Sequence, residues 1–157
     1  MMKYALKVEG PLTAADLGDS LHAALKLAVS TCLGADEEEG GFIVRKDDEY
    51  QFHRITNSHT GTPTAVGLYE PERQEYGDKV IGSYSQGFKN YGSFHTHPTN
   101  FPARPSFTDL TRLFNGQPVN FIWSPSLREL KKYTFLGAND HYTLWRVNEI
   151  DLTGLVE

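Results

Sequence analysis

The stretch from residue 91 to residue 109 constrains this chain most, because it combines a predicted strand, a proline-rich loop and a predicted helix start. It places His95 and His97 one residue apart at the end of the strand. Alternate side chains of a strand point to the same face, so both imidazoles can reach one metal ion. The helix start can return the carboxylate of Asp109 to them as a further ligand. The sequence therefore predicts a metal site between a strand end and a helix start.

The composition limits the classes of protein to which the chain can belong. A length of 157 residues with 39% hydrophobic content predicts one domain, over 1–157, with a single core. The net charge of −5, with the basic residues dispersed, argues against nucleic acid as a partner. Apolar runs of membrane-spanning length and a signal-peptide pattern are missing from the sequence, which argues against a membrane partner. We therefore expect a cytoplasmic protein, although a domain of a larger exported protein would have the same composition.

The single cysteine, Cys32, narrows the chemistry of any metal site. One cysteine excludes an internal disulfide and a cysteine-rich zinc knuckle. A metal must then be held by histidine and carboxylate ligands, which favours a catalytic site over a structural one. Cys32 itself falls on the apolar stripe of a predicted helix, and we interpret it as a small core residue.

The order of the predicted elements indicates an α/β (α+β) fold, with a mixed β-sheet flanked by helices. A helix is predicted to begin after Thr13, the predicted N-cap, with Asp16 three residues later to complete the cap. This helix is predicted to end at Gly34. A second helix is predicted over 106–115. Strands are predicted over 3–8, ended by the Gly-Pro pair that follows, and over 40–44, 50–55, 79–84, 92–97, 119–124, 133–136 and 142–147. Residues 56–78, with a short strand at 66–69, are predicted to form a long connection that is either a lid or binding loop or disordered.

A hydrolytic zinc site also needs a general base near the attacking water, and this base should not itself be a ligand. Glu38 is the candidate, because it stands at the mouth of the strand that opens with Gly40 and Gly41.

Taken together, these residues resemble the signature of the JAMM (MPN+/JAB) zinc metalloproteases. In that family a Glu, two residues and a Gly precede His-x-His-Pro, a short loop and Ser-x-x-Asp. The corresponding segments here are Glu38-Glu39-Gly40-Gly41, His95-Thr96-His97-Pro98 and Ser106-Phe107-Thr108-Asp109. The Glu-x-Gly-Gly form is similar to a bacterial JAB-like branch. The resemblance implies a JAB/MPN-like, cytidine-deaminase-like sandwich.

The resemblance also implies a role for each residue of the motif. His95, His97 and Asp109 would bind Zn²⁺, Glu38 would move the proton from the zinc-bound water to the leaving amine, and Ser106 would hydrogen-bond the oxyanion. The reaction would be hydrolysis of an amide or isopeptide bond in a protein or peptide substrate, such as a ubiquitin-like conjugate. The alternative is a non-catalytic JAB-like binding or scaffold module that retains the metal site.

Two features depart from the family pattern. The loop between His97 and Ser106 is one residue longer and holds three prolines, which leaves its shape and the substrate fit open. The acidic run offers more than one glutamate as the base. Spacing to Gly41 favours Glu38, whereas Glu39 lies one register away on the opposite strand face.

Each part of the motif alone has an ordinary explanation. The Ser106–Asp109 segment fits a helix cap, a His-x-His pair fits a half-buried strand, and Glu38 fits a solvated acidic run. Their joint order favours the metal site. A cupin-type site is disfavoured, because it needs a nearby downstream Glu and the first one after His97 is Glu129.

Overall fold

The computed structural model describes residues 3–33, 38–58, 69–97, 102–104 and 117–156, and within them the chain forms a seven-stranded mixed sheet. The order across the sheet is β1-β7-β6-β5-β4-β2-β3. The pairs β1–β7 and β4–β5 are parallel and the others are antiparallel. The strands are β1 (Lys3–Leu12), β2 (Gly40–Lys46), β3 (Glu49–Ile55), β4 (Lys89–Thr96), β5 (Val119–Ser124), β6 (Glu129–Ala138) and β7 (Tyr142–Ile150). The predicted α+β class with a mixed sheet is confirmed.

The helices of the described chain are few and short. They are α1 (Ala14–Leu17), α2 (Asp19–Thr31), α3 (Arg73–Lys79) and a 3-10 helix (Ile81–Gln86). The predicted cap is confirmed, because the Thr13 hydroxyl accepts from the Asp16 amide while the Asp16 carboxylate accepts from the Thr13 amide. The single predicted helix is interrupted at Gly18, which has a φ of 82°. The predicted helix at 106–115 and the strand residues 66–68 lie outside the described residues.

The predicted end of β1 at the Gly-Pro pair is wrong, because the strand continues through both residues to Leu12. Its register against β7 shifts between Glu9 and Leu12. β1 is an edge strand, and an edge position tolerates a proline whose nitrogen has no hydrogen to donate.

The predicted strand over 79–84 is also wrong, since this segment is helical. The Glu72 carboxylate caps α3 by accepting from the Gln74 and Glu75 amides, and a Glu75–Lys79 ion pair of 2.9 Å joins successive turns. The 3-10 helix follows directly and ends at Gly87. Val80, which lies between the two helices, is buried, and because α3 occupies part of 56–78 the predicted connection is shorter than expected.

The sheet packs differently on its two faces. One face holds the larger core under α2, to which Ile43 and Phe94 contribute. Because side chains alternate along a strand, His95 points to the other face. Two smaller apolar clusters lie on that second face, one around Phe42 and Tyr69 and one around Ala103, Tyr133 and Trp145.

The described helices include none that is both long and apolar enough to cross a membrane.

Candidate metal centre

The candidate site forms where β2 begins and β4 ends. These strands are antiparallel, and their register sets Gly40 directly opposite His95. The approach is too close for a side chain, since a Cβ on Gly40 would lie 2.2 Å from the carbonyl oxygen of Phe94. On the other side of β2, a Cβ on Gly41 would lie 2.1 Å from the carbonyl oxygen of His53. The glycine pair therefore lets β2 fit between its neighbours and carries Glu38 to the histidines.

Three ligand-type side chains converge at this point. Glu38, His95 and His97 are all buried, and their candidate ligand atoms lie within 4.8 Å of one another. The His95 and His97 Nε2 atoms are 3.2 Å apart, and His95 Nε2 lies 3.5 Å from Glu38 Oε1. Two nitrogen ligands of one tetrahedral zinc lie about 3.3 Å apart, given Zn–N bonds of about 2.0–2.1 Å. The donor set and its spacing therefore fit a zinc ion.

The tautomer of His97 is set by the loop that follows it. Its Nδ1 lies 2.8 Å from the carbonyl oxygen of Pro102. A carbonyl oxygen can only accept, so Nδ1–H is the donor, and in the neutral ring the Nε2 lone pair faces His95. A backbone carbonyl in this position is the usual way in which a metal-binding histidine is oriented.

Glu38 and Glu39 were both candidates for the general base, and the structure gives their side chains different surroundings. Glu38 is 2% exposed and faces the histidines. The Glu39 carboxylate instead forms an ion pair of 2.6 Å with Arg54. This geometry favours Glu38 as the residue that acts at the site.

The two histidines lie between the two smaller apolar clusters, with His95 next to one cluster and His97 next to the other. The Tyr69 ring stacks parallel to His95 with centroids 6.4 Å apart, and its hydroxyl donates to the carbonyl of Ile55. Burial raises the pKa of Tyr69, so this hydroxyl remains a proton donor. On the other side, Pro102 contacts His97 and precedes Ala103 of the second cluster.

Two residues hold the loop that follows His97 in place, and the sequence did not predict this role for either of them. Tyr133 donates its hydroxyl hydrogen to the carbonyl of Ala103 at 2.6 Å, and Glu129 accepts from the Ala103 amide at 3.2 Å. Both residues lie on β6, far along the chain, and the Ala103 side chain is fully buried. Within the described part of the loop, residues 102–104 are therefore held to the sheet by their backbone. No local sequence signal predicts these contacts.

The remaining predicted site residues, Ser106 and Asp109, lie outside the described residues. Among the other histidines, His53 sits on β3, and its Nε2 is buried without a hydrogen-bond partner among the described residues. Burial lowers the pKa of His53, and the nearby Lys79 acts in the same direction. The interpretation of Cys32 as a small core residue is confirmed, and Trp123 and Trp145 are buried as well.

No protein-family model matches the chain, and no curated protein matches it. Among solved structures, the chain is similar to the solution structure of protein DSY2949 from Desulfitobacterium hafniense. The two share 19% identity over 87% of this chain and 92% of that chain, with a TM-score of 0.50. A likeness at this identity extends to the fold alone, so membership in the JAMM family stays a prediction.

Proposed function

We propose that the chain is a JAMM-like zinc-dependent hydrolase that cleaves an amide or isopeptide bond in a protein or peptide substrate. The observation that carries the proposal is the convergence of Glu38 with His95 and His97, which are all buried although Glu38 comes from a segment far from the histidines in sequence. The mixed sheet is compatible with a JAB/MPN-like sandwich. The chemistry would be like that of a deubiquitinase.

The proposed ligands are His95, His97 and Asp109, the last from its place in the motif. Zinc, when bound, would polarise the scissile carbonyl and lower the pKa of water. Glu38 takes the proton from the attacking water and passes it to the leaving amine, which suits a buried carboxylate next to the ligands. Ser106 hydrogen-bonds the developing oxyanion, again on the basis of the motif. The Pro102 carbonyl keeps His97 in the tautomer that can bind metal.

The first experiment measures metal content and hydrolysis together. The wild-type protein is purified without chelators, its zinc is measured by elemental analysis, and it is assayed on a panel of ubiquitin-like conjugates and peptides. We expect one zinc per chain, and cleavage that a chelator abolishes and added zinc restores. A protein without zinc, or cleavage that a chelator leaves unchanged, would contradict the proposal.

A matched pair of variants then tests the base. Glu38→Gln should lower kcat by about 10²–10⁴-fold, the usual contribution of a general base, while zinc stays bound. Glu39→Gln is the control, since it makes the same chemical change one residue along the chain, where the side chain pairs with Arg54. The control should keep wild-type turnover, because a partly exposed ion pair contributes less than about 1 kcal/mol.

One observation favours a second candidate, the non-catalytic module that keeps its metal. The separation of 3.5 Å between Glu38 and His95 also suits a carboxylate that is itself a ligand. In that case Glu38→Gln would lose zinc, and the wild-type protein would bind zinc without cleaving any conjugate. Zinc retention in the variant, combined with loss of turnover, therefore separates the enzyme from the binding module.

A further inference from the structure

We propose that Asn57 and Thr96 are positioning residues that hold the peptide group between Glu38 and Glu39, and so fix the direction of the Glu38 side chain. This inference rests on the proposed function, because it assigns these residues to the placement of the general base. Neither residue is predicted to act at the site from its sequence pattern.

The two side chains bind opposite ends of one peptide group. Asn57 Nδ2 donates to the carbonyl oxygen of Glu38 at 2.8 Å. Thr96 Oγ1 accepts from the amide of Glu39 at 2.9 Å. The carbonyl of residue 38 and the amide of residue 39 belong to the same planar unit, so its rotation is restrained from both sides.

This peptide group precedes β2, whose ladder with β4 starts at the pairing of Gly40 with His95. The regular pairing of β2 with β4 therefore does not include this peptide group, and the side chains of Asn57 and Thr96 supply its hydrogen bonds instead. The next link is made by backbone, since the Thr96 amide donates to the carbonyl of Glu39 at 2.8 Å. Thr96 thus contacts the segment twice, from a position between the two histidines.

Asn57 is itself held in one orientation. Its Oδ1 accepts from the amide of Glu70 at 2.9 Å, so the amide nitrogen is the end that faces Glu38. A bridge between Asn57 and Pro71 fixes its backbone. The Thr96 side chain is fully buried, which restricts its rotamer in the same way. Both groups are therefore pre-organised to receive the Glu38–Glu39 peptide.

Such restraint matters because a catalytic group that is misplaced by about 1 Å can cost about 10²-fold in rate. Rotation of the 38–39 peptide would swing the Glu38 carboxylate away from His95 without altering either histidine. The two hydrogen bonds of Asn57 and Thr96 with the 38–39 peptide are called the peptide clamp below. Loss of the peptide clamp should therefore reduce turnover and leave zinc binding by His95 and His97 intact.

The test replaces each group by a shape-matched one. Thr96→Val removes the hydroxyl acceptor, Thr96→Ser keeps it, and Asn57→Asp keeps an acceptor for Glu70 while removing the donor to Glu38. We expect Thr96→Val and Asn57→Asp each to lower kcat by about tenfold or more. KM and zinc content should stay within about twofold of wild type, and Thr96→Ser should recover most of kcat. Asn57 is only half-buried, so its variant also guards against a failure of the buried Thr96 variant to fold.

A second measurement does not depend on activity. Amide hydrogen exchange should show the Glu39 amide protected in the wild-type protein, and its exchange at least tenfold faster in Thr96→Val. Rapid exchange in the wild type, or wild-type kcat in Thr96→Val and Asn57→Asp, would overturn the inference. The wild-type protein could lack zinc-dependent hydrolysis while protection of its Glu39 amide still depends on Thr96. That result would support the peptide clamp and overturn only the proposed function.

Discussion

Replacing Gly40 by alanine tests whether the close approach of β2 and β4 is what assembles the site. The added Cβ would lie 2.2 Å from the carbonyl oxygen of Phe94 and 3.0 Å from the Cα of His95. Both are backbone atoms, so no side-chain rotation relieves the contact. The strands must separate by about 1 Å to restore an ordinary contact distance.

The expected cost follows from this geometry. Overpacking typically costs about 1–3 kcal/mol, and a strand displacement that weakens one backbone hydrogen bond adds about 1 kcal/mol. We expect Gly40→Ala to destabilise the fold by about 3 kcal/mol, which for a domain of this size lowers Tm by roughly 6–12 °C. The same displacement moves Glu38 relative to His95, so zinc affinity or turnover should fall as well.

Urea denaturation, thermal unfolding and zinc titration against a competing chelator measure these effects. Gly77→Ala is the matched control, because the Cβ of a residue at this position in α3 would meet nothing within 4 Å. The control should raise stability by up to about 1 kcal/mol, since alanine favours helix over glycine. A Gly40→Ala protein that matched the wild type in both stability and zinc affinity would show that the close approach of β2 and β4 does not assemble the site.

Three further predictions concern residues around the core. Tyr133→Phe leaves the Ala103 carbonyl without its 2.6 Å donor and should cost about 1–3 kcal/mol in urea denaturation, whereas Tyr142→Phe, at an exposed position, should be neutral. Because burial lowers the pKa of His53, the folded state favours the neutral ring, and stability should fall as pH drops through about 6.5. His53→Asn should reduce that slope in urea denaturation from pH 7.5 to 5 with a chelator present, and an unchanged slope would contradict the assignment. Burial raises the pKa of Cys32 to about 11, so at pH 8 only about one thiol in a thousand is ionised. A thiol reagent should therefore react slowly with the native protein and fully with the protein unfolded in guanidinium. Rapid reaction of the native protein would be inconsistent with the buried position.

Local patterns predicted the elements whose formation depends on neighbouring residues. The capping box at Thr13 depends on residues within one turn, and the placement of His95 and His97 on one face depends only on the strand period. β5 was predicted at its observed bounds, because its apolar and aromatic residues are typical of a buried strand.

Long-range contacts were not predictable in this way. The contacts of Asn57 with Glu38, and of Tyr133 with Ala103, join residues whose separation in sequence carries no periodic signal. Position within the sheet matters as well, since the proline of β1 lies in an edge strand and next to a shift in register, where its missing N–H is tolerated. Glu38 was predicted from its spacing to Gly40 and Gly41 and from the motif, whereas its burial against the histidines is a property of the folded chain.

The parallel pairing of β1 with β7 has a consequence for the order in which the chain folds during synthesis. Lys3 pairs with Tyr142, a residue translated roughly 140 positions later. At about 5–20 residues per second, the ribosome needs about 7–28 seconds to make that partner. Until then β1 lacks the partner that it has among the described strands, and its backbone stays open to other contacts. The sheet is therefore completed only after β7 has emerged, because the pairing of β1 depends on a strand made near the end of the described chain.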